Sequence, residues 1–221
     1  LNSSVHGTGV DQRREAGART RGRLLDAALE LLAERGEGNL KLREVTGAAN
    51  ANVAAVSYHF GSLRSLCDAA VEQALGRYLD AQQESVGALA PGATLAELAA
   101  AFAAPMLSAL AVGGRELSLM RIVARAGIDP PRGWGRFDAS FQQIRGDVLR
   151  VLKANLPGVT AAELDFRTRC AAGLLNWLVL APVGADLRHK SFGQLEQLVL
   201  PVLAGIFLGE SAGRPAAATR P

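Results

Sequence analysis

Cysteine, histidine, aromatic residues and long apolar runs are all scarce in this 221-residue sequence, and each scarcity removes a class of protein. The two cysteines, Cys67 and Cys170, stand far apart, and neither belongs to a Cys-x-x-Cys pair or a cysteine–histidine cluster. That excludes a disulfide framework and a zinc site, and both are expected to be small core residues in a reducing cytoplasm. The three histidines, His6, His59 and His189, fall in the N-terminal tail, a helical segment and a loop, so they do not converge. A Gly-x-Ser-x-Gly elbow, a glycine-rich phosphate loop and a His-Glu-x-x-His motif are also missing. The expectation is a protein that is not an enzyme and needs no cofactor or metal, an all-helical enzyme being the least favoured alternative. No stretch reaches the roughly 18 consecutive apolar residues of a membrane span. Residues Leu1–Val10 lack the charged start and apolar run of a signal peptide. A cytoplasmic chain with no membrane partner follows as the expectation.

Aromatics make up 5% of the chain although 49% of it is hydrophobic, and the apolar content is mostly alanine and leucine. Those residues favour helices, whereas strands draw on β-branched and aromatic side chains, so an all-α fold is predicted. From Thr20 the pattern is helical: Leu24, Leu25, Ala28, Leu31 and Leu32 share one face, with Asp26, Glu30 and Glu34 opposite, until Gly36. Short helices are predicted over about Lys41–Ala49 and Asn52–His59, and a long one follows Ser62 to about Ser85. Pro91 and Gly92 break the pattern, and Thr94 with Glu97 signals a new helix start. Further helices are predicted over about Thr94–Leu110, Arg115–Ala126, Trp134–Asn155, Thr160–Leu180 and Phe192–Leu208, with Pro105 and Pro201 as kinks or divisions.

Net charge is only +3, yet Arg13, Arg14, Arg19, Arg21 and Arg23 crowd the stretch that holds just Asp11 and Glu15 as counter-charges. A basic segment ahead of a folded module suits a phosphate backbone, which rewards each neutralising cation with counterion release. Residues 45–60 then read Val-Thr-Gly-Ala-Ala-Asn-Ala-Asn-Val-Ala-Ala-Val-Ser-Tyr-His-Phe. Ala48 and Ala49 allow two helices to approach closely, Asn50 tolerates a left-handed turn, and Asn52 can cap the helix that follows. Val53, Val56 and Phe60 supply apolar contacts at helical spacing. These are the parts of a helix-turn-helix.

The same region resembles the TetR (tetracycline-repressor) family. The matching residues are Leu24, Leu25, Ala27, Ala28, Leu31, Leu32, Glu34 and Gly36, then Val45, Ala48 and Ala49, then Val56, Tyr58, His59, Phe60, Ser62 and Leu66. The likeness spans about residues 20–67. Departures are Asn50 where the family usually has Gly, Lys41 for a capping Thr, Thr46 for Ala, and Leu63 for a phosphate-binding Lys, which Arg64 can replace. The resemblance implies phosphate contacts by Tyr58 and His59, and approach to bases by Asn52, Val53, Ala55 and Ser57, with Asn52 either reading adenine or serving only as a cap. Lys41 and Arg64 complete the expected DNA-contacting set.

The expected organisation is a basic, disordered arm over 1–19, a three-helix DNA-binding domain over 20–66, a larger helical ligand-binding and dimerisation domain over 67–209, and a disordered tail over 210–221. By resemblance, the last two long helices form a four-helix dimer interface, which their apolar residues at 171–180 and 195–207 suit. A homodimeric repressor, released from a palindromic operator by a largely apolar effector with or without an acidic head group, is the function implied. A regulator without an effector is the alternative. Phe102, Met106, Met120, Phe137, Phe141 and Trp177 are the candidate effector contacts, and Arg121, Arg125, Arg132 and Arg136 the candidate anchors for an anionic head group.

Overall fold

The computed structural model describes residues 7–36, 39–130, 134–181, 187 and 189–209. His6, Arg132, Pro182, Gly184 and the tail 210–221 lie outside the described residues. The fold is all-α: nine α-helices and no strand occur among the described residues. In chain order they are α1 (Gly7–Arg35), α2 (Leu42–Ala48), α3 (Val53–Phe60), α4 (Leu63–Gly87), α5 (Leu95–Val112), α6 (Gly114–Ile128), α7 (Asp138–Asn155), α8 (Ala161–Leu180) and α9 (Phe192–Leu208). A 3-10 turn, Trp134–Phe137, leads into α7. The chain divides into two compact units, residues 1–78 with 113–128 and residues 79–112 with 129–221, so α4 runs from the first into the second and α6 returns to the first.

In the first unit α1 is the common support, packing against α2, α3 and α6. Leu24, Leu25, Ala28, Leu29 and Leu32 are buried along it. Its start at Gly7 lies well ahead of Thr20, where the apolar periodicity begins. Residues 11–19 are nearly all exposed, and periodicity cannot report a helix that buries nothing. Their helicity rests on propensity, from arginine, alanine and glutamate, and on an i,i+4 pair between Glu15 and Arg19 at 3.8 Å. At the other end, Arg125 of α6 donates from Nη1 to the carbonyls of Leu32 and Ala33, at 2.6 and 2.7 Å, and from Nη2 to that of Glu34 at 3.4 Å. Arg115 on the same helix pairs with Asp26 at 2.6 Å. Arg125 is thus committed to closing α1, and an anchoring role for an anionic ligand does not fit it.

In the second unit α5 packs against α7, α8 and α9. Among the described residues α5 is the one helix long and apolar enough to cross a membrane by length and composition, but eight of its side chains are buried, as a core helix requires. Phe102 meets Phe207 of α9 edge to face, with ring centroids 5.8 Å apart. Thr94 and Glu97 form the anticipated capping box: Glu97 N–H donates to Thr94 Oγ1 at 3.2 Å and Thr94 N–H to Glu97 Oε2 at 2.7 Å. The Thr94 N–H, joined by the Thr94 hydroxyl donating to the same oxygen at 2.9 Å, holds the Glu97 carboxyl below the usual carboxylate range. Pro105 and Pro201 sit inside continuous helices and mark no division. Cys67 is buried as expected, but Cys170 is exposed, because it falls on the outer face of α8 with Phe166 and Trp177.

Asp165 of α8 joins two helices: Arg145 of α7 donates to its Oδ1, and Arg169 Nε to its Oδ2 at 3.1 Å. The Arg145 bond, assisted by Arg169, holds its carboxyl below the usual range. A depressed carboxylate contributes stability that is present above the unfolded value, about 3.9, and lost as pH falls through the folded one. Asp165→Asn should therefore lower stability by about 1 kcal/mol at pH 7. Urea unfolding of both proteins should show the gap closing as pH falls below the unfolded value of about 3.9; a gap that persists in strong acid contradicts the assignment.

Candidate nucleic-acid interface

The first unit presents a short helix, a tight turn and a second short helix, α2 and α3, on the support of α1. Val45 from α2, Ala49 at its C-terminal cap and Val56 from α3 are buried, which fixes the rotation of both helices. Ala48 is exposed, so the close approach between helices rests on Ala49 alone. The turn is a Schellman motif. Ala51 N–H donates to the Thr46 carbonyl at 2.9 Å and Asn50 N–H to that of Gly47 at 3.1 Å. Asn50 has φ +44°, and it is the one non-glycine residue with positive φ among those described. Its short polar side chain makes this left-handed geometry tolerable.

Asn52 caps α3: its Oδ1 accepts from Ala54 N–H at 3.0 Å. Bidentate reading of an adenine needs that same oxygen together with the amide nitrogen, so the capping role is the one the geometry favours. The helix ends at Gly61, φ +80°, and Ser62 caps α4 by accepting from Ser65 N–H at 3.0 Å.

With Val56 turned inward, α3 exposes Asn52, Val53, Ala54, Ser57 and Tyr58, the last 84% accessible. Ala55 is half-buried, and Ala54, which the sequence reading passed over, holds the exposed position beside Ser57. A helical wheel centred on Val56 gives that signal. His59 is half-buried, its ring edge-on to Tyr58 at 4.9 Å between centroids. Lys41, just before α2, and Arg64, in the first turn of α4, are exposed. The Lys41 N–H donates to Glu44 Oε2 at 3.3 Å, which secures the start of α2 without a Thr. A short helix with buried Val56 beneath and a polar, aromatic outer face is what insertion into a DNA groove requires.

Residues 24–70 match the profile described as bacterial regulatory proteins, tetR family. Over this head the chain is similar to the TetR-family regulators. Solved structures with the same fold include a TetR-like transcriptional regulator from a Rhodococcus species, 14% identical, with TM-score 0.63 over 87% of this chain and 97% of that one. The TetR family transcriptional regulator PfmR from Thermus thermophilus is 17% identical, with TM-score 0.60 over 86% and 97%. NalD of Pseudomonas aeruginosa is 17% identical, with TM-score 0.50 over 84% and 96%. At such identities the likeness is one of fold. No curated protein matches the chain.

Outside the TetR-type head, the six candidate effector contacts are dispersed. Phe102 and Met106 are buried in α5, Phe137 and Phe141 are half-buried around the start of α7, and Trp177 is 51% exposed on α8. Met120 is buried in α6 and belongs to the first unit, whereas the other five belong to the second. Arg136 lies over the Phe137 ring at 5.3 Å. The sequence reading missed Gln82 of α4, a buried side chain whose Nε2 donates to the Phe102 carbonyl at 3.2 Å and whose Oε1 has no hydrogen-bond partner. No motif announces it: Gln82 stands beside Gln83 in a polar stretch, residues 80–85, that gives no sign of burial.

The left-handed turn gives a direct test. Asn50→Val forces a β-branched residue into positive φ and should cost about 1–2 kcal/mol, while Asn50→Gly should be close to neutral. Denaturant midpoints of the three proteins decide it; equal midpoints for Val and Gly contradict the turn geometry.

Proposed function

We propose that this protein is a homodimeric transcriptional repressor that lays α3 in the major groove of a palindromic operator and leaves it when a small, largely apolar molecule binds the second unit. The observation that carries the DNA reading is the outer face of α3, held out by the Schellman turn and the buried Val56. On this reading Val53, Ala54 and Ser57 approach base edges, with Ala55 at their margin, and Tyr58, His59, Lys41 and Arg64 hold phosphates. Asn52 positions the helix. NalD, similar in fold, is the secondary repressor of the MexAB-OprM multidrug efflux pump, which favours repression over activation. The cytoplasm is the compartment this function implies.

Dimerisation is supported by α8 and α9. Phe166, Cys170, Gly173 and Trp177 recur along one exposed face of α8, and Leu198, Val202 and Gly205 along one of α9. The two helices pack side by side, so together they offer a broad apolar surface that water disfavours. Two copies joined there present two α3 helices to half-sites roughly 34–36 Å apart. The effector reading is supported by Gln82, whose unpartnered buried oxygen beside Phe102 suits a hydrogen-bond donor on an otherwise apolar ligand. With Arg125 engaged elsewhere, an acidic head group loses one of its four candidate anchors.

Selection from random duplexes should return a two-fold symmetric site. Ser57→Ala should change the selected bases, whereas Tyr58→Ala should weaken binding to every duplex by a similar factor. Unchanged selection in Ser57→Ala overturns the groove assignment. Leu198→Glu with Val202→Glu should convert the dimer to a monomer in sedimentation and remove the preference for symmetric sites; a variant that stays dimeric overturns the interface. Any candidate effector must bind more weakly in the presence of operator, since coupling is reciprocal. A compound bound equally in both conditions is not an inducer, and a regulator for which no compound separates them is one without an effector.

A further inference from the structure

The core stripe of α1, Leu24, Ala28 and Leu31, advances in steps of four and three. The same steps counted backwards from Leu24 reach Arg21, Gly17 and Arg14, with Arg13 beside them on the same side. Two contacts show where this face points. The Arg21 guanidinium lies 4.9 Å from the centroid of the Phe60 ring, and the backbone at Gly17 passes so near His59 that a Cβ there would sit 3.8 Å from its Cε1. Phe60 and His59 are the last two residues of α3. The face of α1 that carries the hydrophobic core therefore continues past the end of the reading helix, where it changes from leucine to exposed arginine.

Charge is segregated on this extension. Asp11 and Glu15, its two carboxylates, fall on the opposite side, where Glu15 is paired with Arg19. A helix that merely needed solvation has no reason to sort its charges this way, and a membrane-surface helix needs an apolar face, which residues 11–19 lack. From Gly17 back to Gly7 the helix runs about 15 Å at 1.5 Å per residue, further than the roughly 12 Å width of the major groove. An α3 seated in that groove thus brings the extension to the flanking phosphates.

We propose that the N-terminal extension of α1 is a second, sequence-independent DNA contact, in which Arg13 and Arg14 hold phosphates of the duplex beyond the bases that α3 reads. This rests on the DNA-binding reading of α3, and the test separates the two. The full chain, Arg13→Gln/Arg14→Gln and the opposite-face control Arg19→Gln/Arg23→Gln are titrated against a random-sequence duplex over a range of salt concentrations. Circular dichroism checks that helix content is kept. The Arg13/Arg14 variant should lower the slope of log affinity against log salt by about 1.8 per protomer, from two lost phosphate contacts, while the control keeps the wild-type slope. A wild-type slope in the Arg13/Arg14 variant overturns the extension contact and leaves the α3 reading standing. Equal loss in both variants overturns the assignment to one face. A full chain that binds no duplex overturns the α3 reading and this one together.

Discussion

The closure of the carbonyl end of α1 by Arg125 is the constraint on which the first unit depends. A helix leaves its last four carbonyls without partners and concentrates about half a negative charge there. Arg125 meets three of them with a rigid guanidinium fork, and it comes from α6, far along the chain. Hydrogen bonds to a charged group contribute about 1.5–3 kcal/mol, against about 0–1 for exposed ion pairs such as Arg77–Glu116. The clamp, together with the buried leucines of α1, outweighs those pairs in setting how α1 and α6 register. The second unit repeats the device: Arg167 of α8 donates to the carbonyls of Phe207 and Leu208 at the end of α9, at 3.0 and 2.6 Å. Gly209 follows in the left-handed region, and a Cβ there would collide with that guanidinium.

With α1 fixed, α3 can be short. Its eight residues are fewer than the roughly 12–15 at which even favourable isolated helices become marginal, so α3 owes its existence to what surrounds it. Buried Val56 anchors it, the Asn52 cap and the Asn50 turn set its start, and Gly61 lets the chain turn away at its end. A helix stabilised from below and at both ends keeps its outer face free of structural duty, which is why that face can carry Ser57 and an 84% accessible Tyr58.

What the sequence made legible follows from how each feature is encoded. The helices that bury an apolar stripe, the left-handed Asn50 and the caps at Asn52, Ser62 and Thr94 are local signals, and each stands where its residues indicate. The extension of α1 is local too, but it is written in propensity and charge, which periodicity does not measure. Arg125, Gln82 and Cys170 were not legible. Arg125 finds its partners more than ninety residues away, so nothing nearby marks it as a cap. Gln82 and Cys170 differ in burial because of which neighbour covers them, a property of packing that residue type only biases.

The connections between the units bound how a ligand in the second can act on the head. On the repressor reading, the ligand shifts an equilibrium only by the difference in its affinity for two conformations, and typical couplings are about 1–3 kcal/mol. The chain passes from unit to unit three times: within α4, a continuous helix, at the junction of α5 with α6, and after Ile128 at the end of α6. A continuous helix transmits displacement along its length with little give. The α5–α6 junction is Gly113–Gly114, both with positive φ, at +71° and +53°, where the absence of a Cβ makes the conformation accessible and the backbone easy to rotate. Within the first unit α6 is tied to α1 by Arg125 and Arg115. Of the three crossings, α4 is the one made inside a continuous helix, and Gln82 lies on that helix within the second unit.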